Sequence, residues 1–410
     1  MVKIMEQKDK MSILYFSYDG LMEPLGQSQV LQYLRKLAKD RRIVLVTYEK
    51  KHDWIDYARR SNLINSVRQT GIHWVPLRYH KYPPVISTGY DLIIGFFVCF
   101  FLCIRYRIGI FHARSYVPSV LGLVFKLLLR IRFIFDMRCF WPDDLMEVGI
   151  FNKSSKVYLI AKWFERQFLL EADVIVALTQ KAVNLMQEFS YLKGKAKNFK
   201  VIPTCVNLEL FQPVSARYIA NASSFMLGYV GSVGPCNKFD KVLECFKVLK
   251  RQYINAKLLI INRNDHAYIR QCLEACEIET NSVEIKVAQY CDVPKEIGRM
   301  NAGIFIYTPT NSQISRAPTK MGEFLACGIP CLGNAGIGDV KEILENEQVG
   351  VVLNDFITLS IEKAVDRLLE LTNDLETQRR CVSVAQRYFS LDIGVEAYGR
   401  IYRNLAEKNL

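Results

Sequence analysis

The chain has 410 residues, of which 50% are hydrophobic and 23% charged, and it carries a formal net charge of +13. This length predicts two or three domains, and the composition excludes a wholly disordered chain. Residues 1–220 hold 32 basic against 18 acidic residues, whereas residues 221–410 hold 22 against 23. The first half is therefore expected to face an acidic partner, for which nucleic acid, anionic lipid and phosphate are the candidates.

The cysteine pattern and the lack of targeting signals narrow the class of protein. The 12 cysteines form no CxxC pair, and most lie in apolar runs. This indicates reduced thiols in a cytosolic protein, and the Cys and His residues do not cluster as zinc ligands do. The start of the chain lacks the features of a signal peptide. The longest uncharged apolar run, Leu92–Ile104, is shorter than the roughly 20 residues of a membrane span, so we expect the chain to lie on a membrane rather than to cross it.

The first half alternates β-branched runs with amphipathic stretches, which is typical of parallel strands joined by crossover helices. Strands are predicted at Ser12–Ser17, Ile43–Tyr48, Ile72–Leu77, Ile108–His112, Arg132–Met137, Asp173–Leu178 and Val201–Pro203. Helices are predicted at Gln29–Lys39, Leu92–Ile104, Ser119–Leu129, Lys156–Leu170 and Gln180–Glu188.

The same alternation restarts after a polar stretch at residues 207–224. Strands are predicted at Phe225–Val230, Lys257–Asn262, Val283–Val287, Gly303–Tyr307, Pro330–Leu332 and Gly350–Leu353. Helices are predicted at Phe239–Arg251, Val293–Met300, Thr319–Ala326, Val340–Glu345, Ser360–Thr372, Thr377–Tyr388 and Val395–Asn409. Two such series predict two Rossmann-like domains, at residues 1–210 and 211–390, with ligands beyond the carboxyl ends of the strands.

Two loops of the first half carry candidate binding groups. The loop after the first strand contains Gly20 and Gly26 and leads into a helix, so its backbone can approach an anion; an ordinary loop with Ser28 as a helix cap is the alternative. Arg138 follows a strand end and can meet a phosphate or carboxylate bidentately, or it can form an ion pair with Asp136 or Asp143. His112 ends the neighbouring strand and is expected to line the same site.

Two loops of the second half suit a phosphorylated ligand. Residues 228–234 read GxxGxxG rather than the dinucleotide fingerprint GxGxxG, yet such a loop offers backbone amides to a pyrophosphate. Pro318 marks a helix start, and Glu323 lies near its first turn. A carboxylate there can bind a ligand, or it can simply complement the helix dipole.

The ordered segments of the chain resemble glycosyltransferase family four, retaining enzymes of GT-B fold. The resemblance covers essentially the whole chain and rests on SYDG–PLGQSQVLQYL, HARSY, FDMRCFWPD, EADVIVALT, VIPTCVNLELF, GYVGSVG and PTK–GEFLACGIP–GNAGIGD. It implies an α/β protein with two Rossmann-like domains facing across a cleft, and a last helix at residues 391–410 that returns to the first domain. It also implies metal-independent, retaining transfer of a hexose from a UDP- or GDP-linked sugar, without a cofactor, by front-face attack.

The same resemblance assigns roles to residues, with three departures from the family pattern. Glu323 matches the glutamate that holds the nucleotide ribose. The sugar-binding glutamate of that motif is replaced by Ser315, the phosphate-binding arginine after Gly231 by Ser232, and its lysine partner by Asn237. Lys238, Arg316 or Lys320 is expected to supply the missing positive charge. The donor-binding set is therefore Gly231, Ser232, Asn237, Lys238, Ser315, Arg316, Thr319, Lys320 and Glu323; the catalytic set is Glu323, Lys320 and Arg138; the acceptor set is Asp19, Gly20, Gly26 and His112.

The basic half favours a membrane over nucleic acid. The segments Leu92–Arg107 and Pro118–Arg132 are very apolar and end in arginine, which suits helices at a bilayer interface; crossover helices packed on the sheet are the alternative. Nucleic-acid binding would need basic residues interleaved with stacking aromatics or a recognised module. We therefore expect a saccharide or polyprenyl-linked acceptor of the bacterial cell-surface type, at the cytoplasmic face of the membrane.

Two other functions remain open from the sequence. One is a nucleotide-sugar epimerase of the same fold, which would need acid and base residues in the cleft. The other is a non-catalytic scaffold docked on the membrane, which the replacements at Ser315, Ser232 and Asn237 allow.

Overall fold

The computed structural model describes residues 11–213, 225–234 and 236–407. These residues divide into two compact units, and the chain passes between them more than once. The first unit contains residues 11–178, 182–202 and 394–407; the second contains residues 179–181 and the described part of 203–393. The predicted domain boundary at 210/211 thus lies eight residues after the point where the chain enters the second unit.

The first unit is built on a sheet of seven parallel strands. They are β1 Ser12–Ser17, β2 Ile43–Glu49, β3 Ile72–Arg78, β4 Ile108–Arg114, β5 Arg132–Asp136, β6 Val174–Ala177 and β7 Phe199–Val201. Their order is β3-β2-β1-β4-β5-β6-β7. Every residue of β1 and β2 is buried, as expected for a parallel sheet covered on both faces.

Helices connect and cover these strands. They are α1 Pro24–Gly26, α2 Gln32–Leu37, α3 Lys51–Ile55, α4 Tyr57–Gln69, α5 Pro84–Tyr106, α6 Tyr116–Leu129, α7 Trp141–Glu147, α8 Lys156–Glu171 and α9 Gln180–Gln187, with a π-helical turn, Gln27–Leu31, between α1 and α2. Helix α5 begins eight residues earlier than predicted, because Pro84 occupies its first position and the helix continues through Asp91 into the apolar run. Helices α1, α3, α4 and α7 were missed, as was a helix of the second unit at His266–Ala275.

The second unit holds six parallel strands: β8 Met226–Val230, β9 Lys257–Ile261, β10 Val283–Lys286, β11 Ala302–Ile304, β12 Cys331–Asn334 and β13 Gly350–Leu353. Their order is β10-β9-β8-β11-β12-β13. Its helices are α10 Phe239–Gln252, α11 His266–Ala275, α12 Val293–Ile297, α13 Thr319–Ala326, α14 Val340–Asn346, α15 Thr358–Asn373 and α16 Leu375–Val384, and α17 Leu391–Glu407 follows. Two clusters of buried apolar side chains, which include Phe246 and Phe324, form its core.

Helix α5 changes one expectation from the sequence. It has 23 residues and is long and apolar enough, by length and composition, to cross a membrane. The uncharged-run criterion missed it because Asp91 interrupts the apolar sequence. Helix α17 begins in the second unit and continues into the first from Gly394.

Candidate functional site

The second unit collects its candidate ligand groups after strands β8 and β11. Tyr229 lies in β8 and Tyr307 lies shortly after β11, and these two strands are parallel neighbours. Their carboxyl ends therefore meet at one edge of the sheet, which is where open α/β sheets bind ligands.

The loop after β8 has a backbone suited to close approach. Gly231 adopts a φ of +113°, a conformation that side chains disfavour, and its amide donates to the Ile261 carbonyl at 2.9 Å. A Cβ atom added at Gly231 would lie 3.5 Å from the Nζ of Lys320. The amides of Ser232 and Gly234 donate to no acceptor in the described part of the chain.

Lys320 and Glu323, both on α13, are the central side chains of this edge. The Lys320 Nζ lies 4.5 Å from the centre of the Tyr229 ring and 5.4 Å from that of Tyr307. Glu323 is only 8% exposed. Lys320 is half-buried. Within residues 11–213, 225–234 and 236–407, neither side chain forms a hydrogen bond or an ion pair, although charges removed from water are normally paired. The hydrogen-bonding capacity of both groups is therefore unused by the described residues.

Burial shifts the pKa of both groups in the direction that favours the uncharged form. It lowers the pKa of the Lys320 amine to about 7, against the opposing attraction of Glu323. It raises the pKa of Glu323 to about 7, and the nearby Lys320 opposes this shift as well. A negatively charged ligand on Lys320 would restore the charged amine.

The other predicted donor residues surround this pair or support it. Arg316 lies with its Cζ 5.5 Å from the Tyr307 ring centre, and Thr319 is the first residue of α13. Ser315 is 1% exposed and donates inward to the Ser312 carbonyl at 2.7 Å. Asn237 and Lys238 fix the backbone, since their amides donate to the carbonyls of Gly234 and Ile306 at 2.9 Å.

Two tyrosines and an asparagine also belong to this edge, and the sequence analysis assigned them no role. The rings of Tyr229 and Tyr307 flank the Lys320 amine. The Asn334 side chain accepts a hydrogen bond from the Tyr307 amide at 2.9 Å and donates one to the Tyr307 carbonyl at 3.1 Å. These two bonds hold the segment after β11 in place. Their position at strand ends was the available signal.

In the first unit, Arg138 belongs to a buried polar cluster. Its guanidinium donates to Asp136 at 3.2 Å. Of the two ion pairs that the sequence allowed for Arg138, the structure therefore shows the one with Asp136. Asp143 instead accepts from Tyr158 at 2.8 Å and pairs with Lys162 at 2.9 Å. Burial favours the neutral Asp136, but Arg138, His112 and Arg114 outweigh it and hold the pKa of Asp136 well below its usual range.

His112 lies in the interior of the same cluster. Its side chain is 0% exposed, its Nδ1 lies 2.7 Å from the Tyr402 hydroxyl and its Nε2 lies 3.3 Å from Asp136. Burial lowers its pKa, against the opposing effect of Asp136. The structure therefore places His112 inside the fold, where both ring nitrogens have protein partners.

The predicted glycine loop is held by close backbone packing. A Cβ atom at Gly26 would lie 2.1 Å from the Gly20 carbonyl oxygen, which explains the glycine. Asp19 forms an ion pair with Arg114. Glu49, which the sequence did not single out, accepts from the Leu21 and Met22 amides at 2.7 and 3.1 Å and fixes this loop.

Two parallel sheets with these strand orders and covering helices form an α/β architecture that matches the GT-B fold of known glycosyltransferases. Residues 215–388, less than half of the chain, match the family model described as glycosyl transferases group 1. No curated protein matches the sequence.

Solved structures resemble the chain over almost its whole length, at sequence identities that support the fold alone. Sucrose-phosphate synthase from Thermosynechococcus elongatus has a TM-score of 0.74 at 14% identity, covering 97% of this chain and 99% of that one. Anabaena HepE in complex with UDP has a TM-score of 0.69 at 12% identity, with 96% and 100% covered. WaaG, a glycosyltransferase involved in lipopolysaccharide biosynthesis, has a TM-score of 0.63 at 11% identity, with 94% and 98% covered.

Proposed function

We propose that the protein is a retaining hexosyltransferase that uses a nucleotide-sugar donor bound by the second unit. The observation that carries this proposal is the pair formed by the half-buried Lys320 and the buried Glu323, two ionisable groups whose side chains have no hydrogen-bond or ion-pair partner in the described chain. They lie beside a loop whose amides at Ser232 and Gly234 are also unused. A cation, free amides and a carboxylate acceptor are the groups that recognise a diphosphate attached to a hydroxyl-bearing sugar.

Each group has a role in this proposal. Lys320, Arg316 and the amides after Gly231 meet the diphosphate, and Glu323 accepts hydrogen bonds from the ribose hydroxyls. Lys320 takes over the charge that the family places at Ser232 and Asn237. The match of residues 215–388 to glycosyl transferases group 1 supports this assignment, and the UDP complexes of HepE make UDP-sugars the first donors to test, with GDP-sugars second.

The proposed reaction needs stabilisation of a leaving anion. The bond between the anomeric carbon and the diphosphate oxygen breaks, and its electron pair leaves with the diphosphate. The acceptor hydroxyl attacks from the same face, and its proton passes to the departing diphosphate. The cations and amides at the end of β8 and at the start of α13 supply the fixed charge that such a step requires. The proposal includes no metal ion or cofactor.

For the acceptor we propose a saccharide or polyprenyl-linked saccharide at the cytoplasmic face of the membrane, bound by the first unit. The excess of basic residues in the first 220 positions supports this choice. Asp19, Gly20 and Gly26 belong to the loop after β1, at the carboxyl edge of the first sheet, and Arg138 follows β5 at the same edge. Arg138 there is tied to Asp136, so we give it a supporting role.

A thermal-shift series with UDP, GDP, ADP and their sugar conjugates tests the donor site. A ligand at 100 times its Kd adds about 2.7 kcal/mol to the free energy of unfolding. We expect one nucleotide to stabilise the wild-type protein and to lose this effect in Glu323→Gln. The control is Lys241→Met, because the Lys241 amine already has Glu244 as a partner at 2.6 Å. Equal stabilisation of Glu323→Gln, or none by any nucleotide, would contradict the proposal.

A further inference from the structure

Helix α5 of the first unit exposes a continuous apolar face. Along one side of the helix, at spacings of three and four residues, lie large side chains that are 37 to 72% exposed. Between Val85 and Ile104 the only charged residue is Asp91, and it is 1% exposed. The exposed residues are Val85, Ile86, Tyr90, Ile93, Ile94, Phe97, Phe100, Phe101 and Ile104.

The opposite face of α5 is part of the core of the unit. Asp91, Gly95 and Cys99 are buried, and a Cβ atom at Gly95 would lie 3.0 Å from the Tyr48 hydroxyl and 3.3 Å from Leu121. Phe96 stacks on Phe125 of α6 with ring centres 5.4 Å apart. Crossing a bilayer would require this face to leave its packing, so the folded unit presents only one side of α5 to lipid.

The apolar face extends to the neighbouring helices. Helix α6 packs against both α5 and α8. Its last turn exposes Leu127, Leu128 and Leu129, and α8 exposes Leu159, Ile160 and Trp163. Exposed apolar patches of this extent mark interaction sites rather than ordinary surface.

Basic residues lie at the ends of the apolar helices. Arg105, Arg107 and Arg130 are exposed, and none of them pairs with an acidic side chain among the residues that the structure describes. Helices α5 and α6 lead into the adjacent parallel strands β4 and β5, so these arginines follow both helices at the same edge of the sheet. Lys81 precedes the other end of α5. Cations beside an apolar face complement anionic lipid headgroups.

We propose that α5 is an in-plane membrane anchor, and that an anionic lipid bilayer covers the surface formed by α5, the end of α6 and α8. With 23 residues, the helix is about 35 Å long and lies along the bilayer surface with its apolar face in the acyl region. Lys81 at one end, and Arg105 and Arg107 at the other, contact the headgroups.

The anchor is connected to the loop that follows β1. The Asp91 carboxylate lies 2.6 Å from the His80 Nδ1 and accepts from the Tyr18 hydroxyl at 2.8 Å, and Tyr48 donates to the Asp91 carbonyl. Tyr18 directly precedes Asp19 and Gly20. Because Asp91 lies on the buried face of α5, these bonds tie the loop after β1 to the anchor helix, which suits a lipid-linked acceptor; this last step rests on the proposed function, whereas the membrane binding does not.

Vesicle flotation of the full-length protein tests the anchor. Phosphatidylcholine vesicles with and without phosphatidylglycerol serve as probes. We expect Phe97→Glu/Phe101→Glu to reduce the fraction that floats by about tenfold or more, since the apolar face drives insertion. The matched control is Ile254→Glu/Leu375→Glu in the second unit, where both side chains are more than 80% exposed; it should float as the wild type does.

Further measurements separate the alternatives. The variant Arg105→Glu/Arg107→Glu/Arg130→Glu should bind less to the vesicles that contain phosphatidylglycerol, while its binding to pure phosphatidylcholine vesicles should not change. In a second experiment, alkaline carbonate should extract the wild-type protein from membranes. Near-UV circular dichroism checks that the variants are folded. Unchanged flotation of folded Phe97→Glu/Phe101→Glu would overturn the proposal, as would resistance to carbonate or a wild-type dimer that this variant dissociates. None of these readouts requires nucleotide binding, so they are independent of the donor-site proposal.

Discussion

Buried charge is treated in opposite ways in the two units. In the first unit Asp136 has Arg138, His112 and the Tyr398 hydroxyl around it, at 3.2, 3.3 and 3.1 Å. In the second unit Lys320 and Glu323 have neither hydrogen bonds nor ion pairs in the described residues. Breaking a partnered cluster leaves charges buried without their partners, which destabilises the fold, whereas a pair without such partners costs stability, and we propose that it serves ligand binding. Substitutions in the two places should therefore affect different quantities.

The largest effect on stability is expected from Asp136→Ala. It leaves Arg138 and His112 buried without their carboxylate, which costs about 3–5 kcal/mol of unfolding free energy. Urea unfolding gives the loss, and hydrogen exchange of the β4 and β5 amides locates it in the first unit. Asp143→Ala, whose side chain is 23% exposed, is the control. A loss for Asp136→Ala no greater than the control's would show that the cluster is not structural.

The counterpart in the second unit is Lys320→Met, which should affect binding rather than folding. Loss of a charged hydrogen-bond partner weakens ligand binding by about 1.5–3 kcal/mol, which is roughly a 10- to 150-fold higher Kd. The protein without ligand should be at least as stable as the wild type, because a desolvated charge has been removed. Calorimetric titration with the stabilising nucleotide and a melting curve measure the two quantities. If the Lys320→Met protein is destabilised and its Kd is unchanged, Lys320 contributes to folding rather than to ligand binding, which contradicts the prediction.

Lys320 and Glu323 should also determine how the stability of the ligand-free protein depends on pH. The pKa of Glu323 is about 7 in the folded protein, against 4.5 for an exposed glutamate in the unfolded chain. The folded form therefore binds the proton more tightly, and the free energy of unfolding falls as the pH rises from 4.5 to 7. Lys320 has a folded pKa of about 7 against 10.5, so stability rises from pH 7 towards 10.5. Melting temperatures should therefore pass through a minimum near pH 7. Glu323→Gln should remove the acid limb and Lys320→Met the basic limb; limbs that persist in both variants would refute the assignment.

The smallest effect is expected from a helix cap. Asp339 accepts from the Gln180 and Lys181 amides at 2.7 and 3.1 Å, and so caps the first turn of α9 from a loop more than 150 residues away. Asp339→Ala should cost about 1 kcal/mol, read from chemical denaturation beside the exposed Glu345→Ala. Indistinguishable curves would mean that water replaces the cap without loss.

The sequence predicted the strands better than the helices and the site. The α/β fold with two parallel sheets is confirmed. Short runs rich in β-branched residues, such as Ile43–Tyr48, favour strands from the local sequence alone. Helix α4 was missed because few of its residues are apolar. The identities of Lys320 and Glu323 followed from the resemblance, but their lack of protein partners depends on every surrounding element. The partners of His112 could not be read from the sequence, because Tyr402 lies 290 residues away.

That distance has a consequence for biosynthesis. Tyr398 and Tyr402 complete the hydrogen bonds of Asp136 and His112 in the first sheet, yet both belong to α17, which follows the second unit in the sequence. A ribosome releases them only after the whole second unit has been made. The nascent first unit therefore carries an incompletely satisfied polar core throughout translation of some 190 intervening residues, and truncation of α17 would leave a terminal product unable to finish folding the part that was synthesised first.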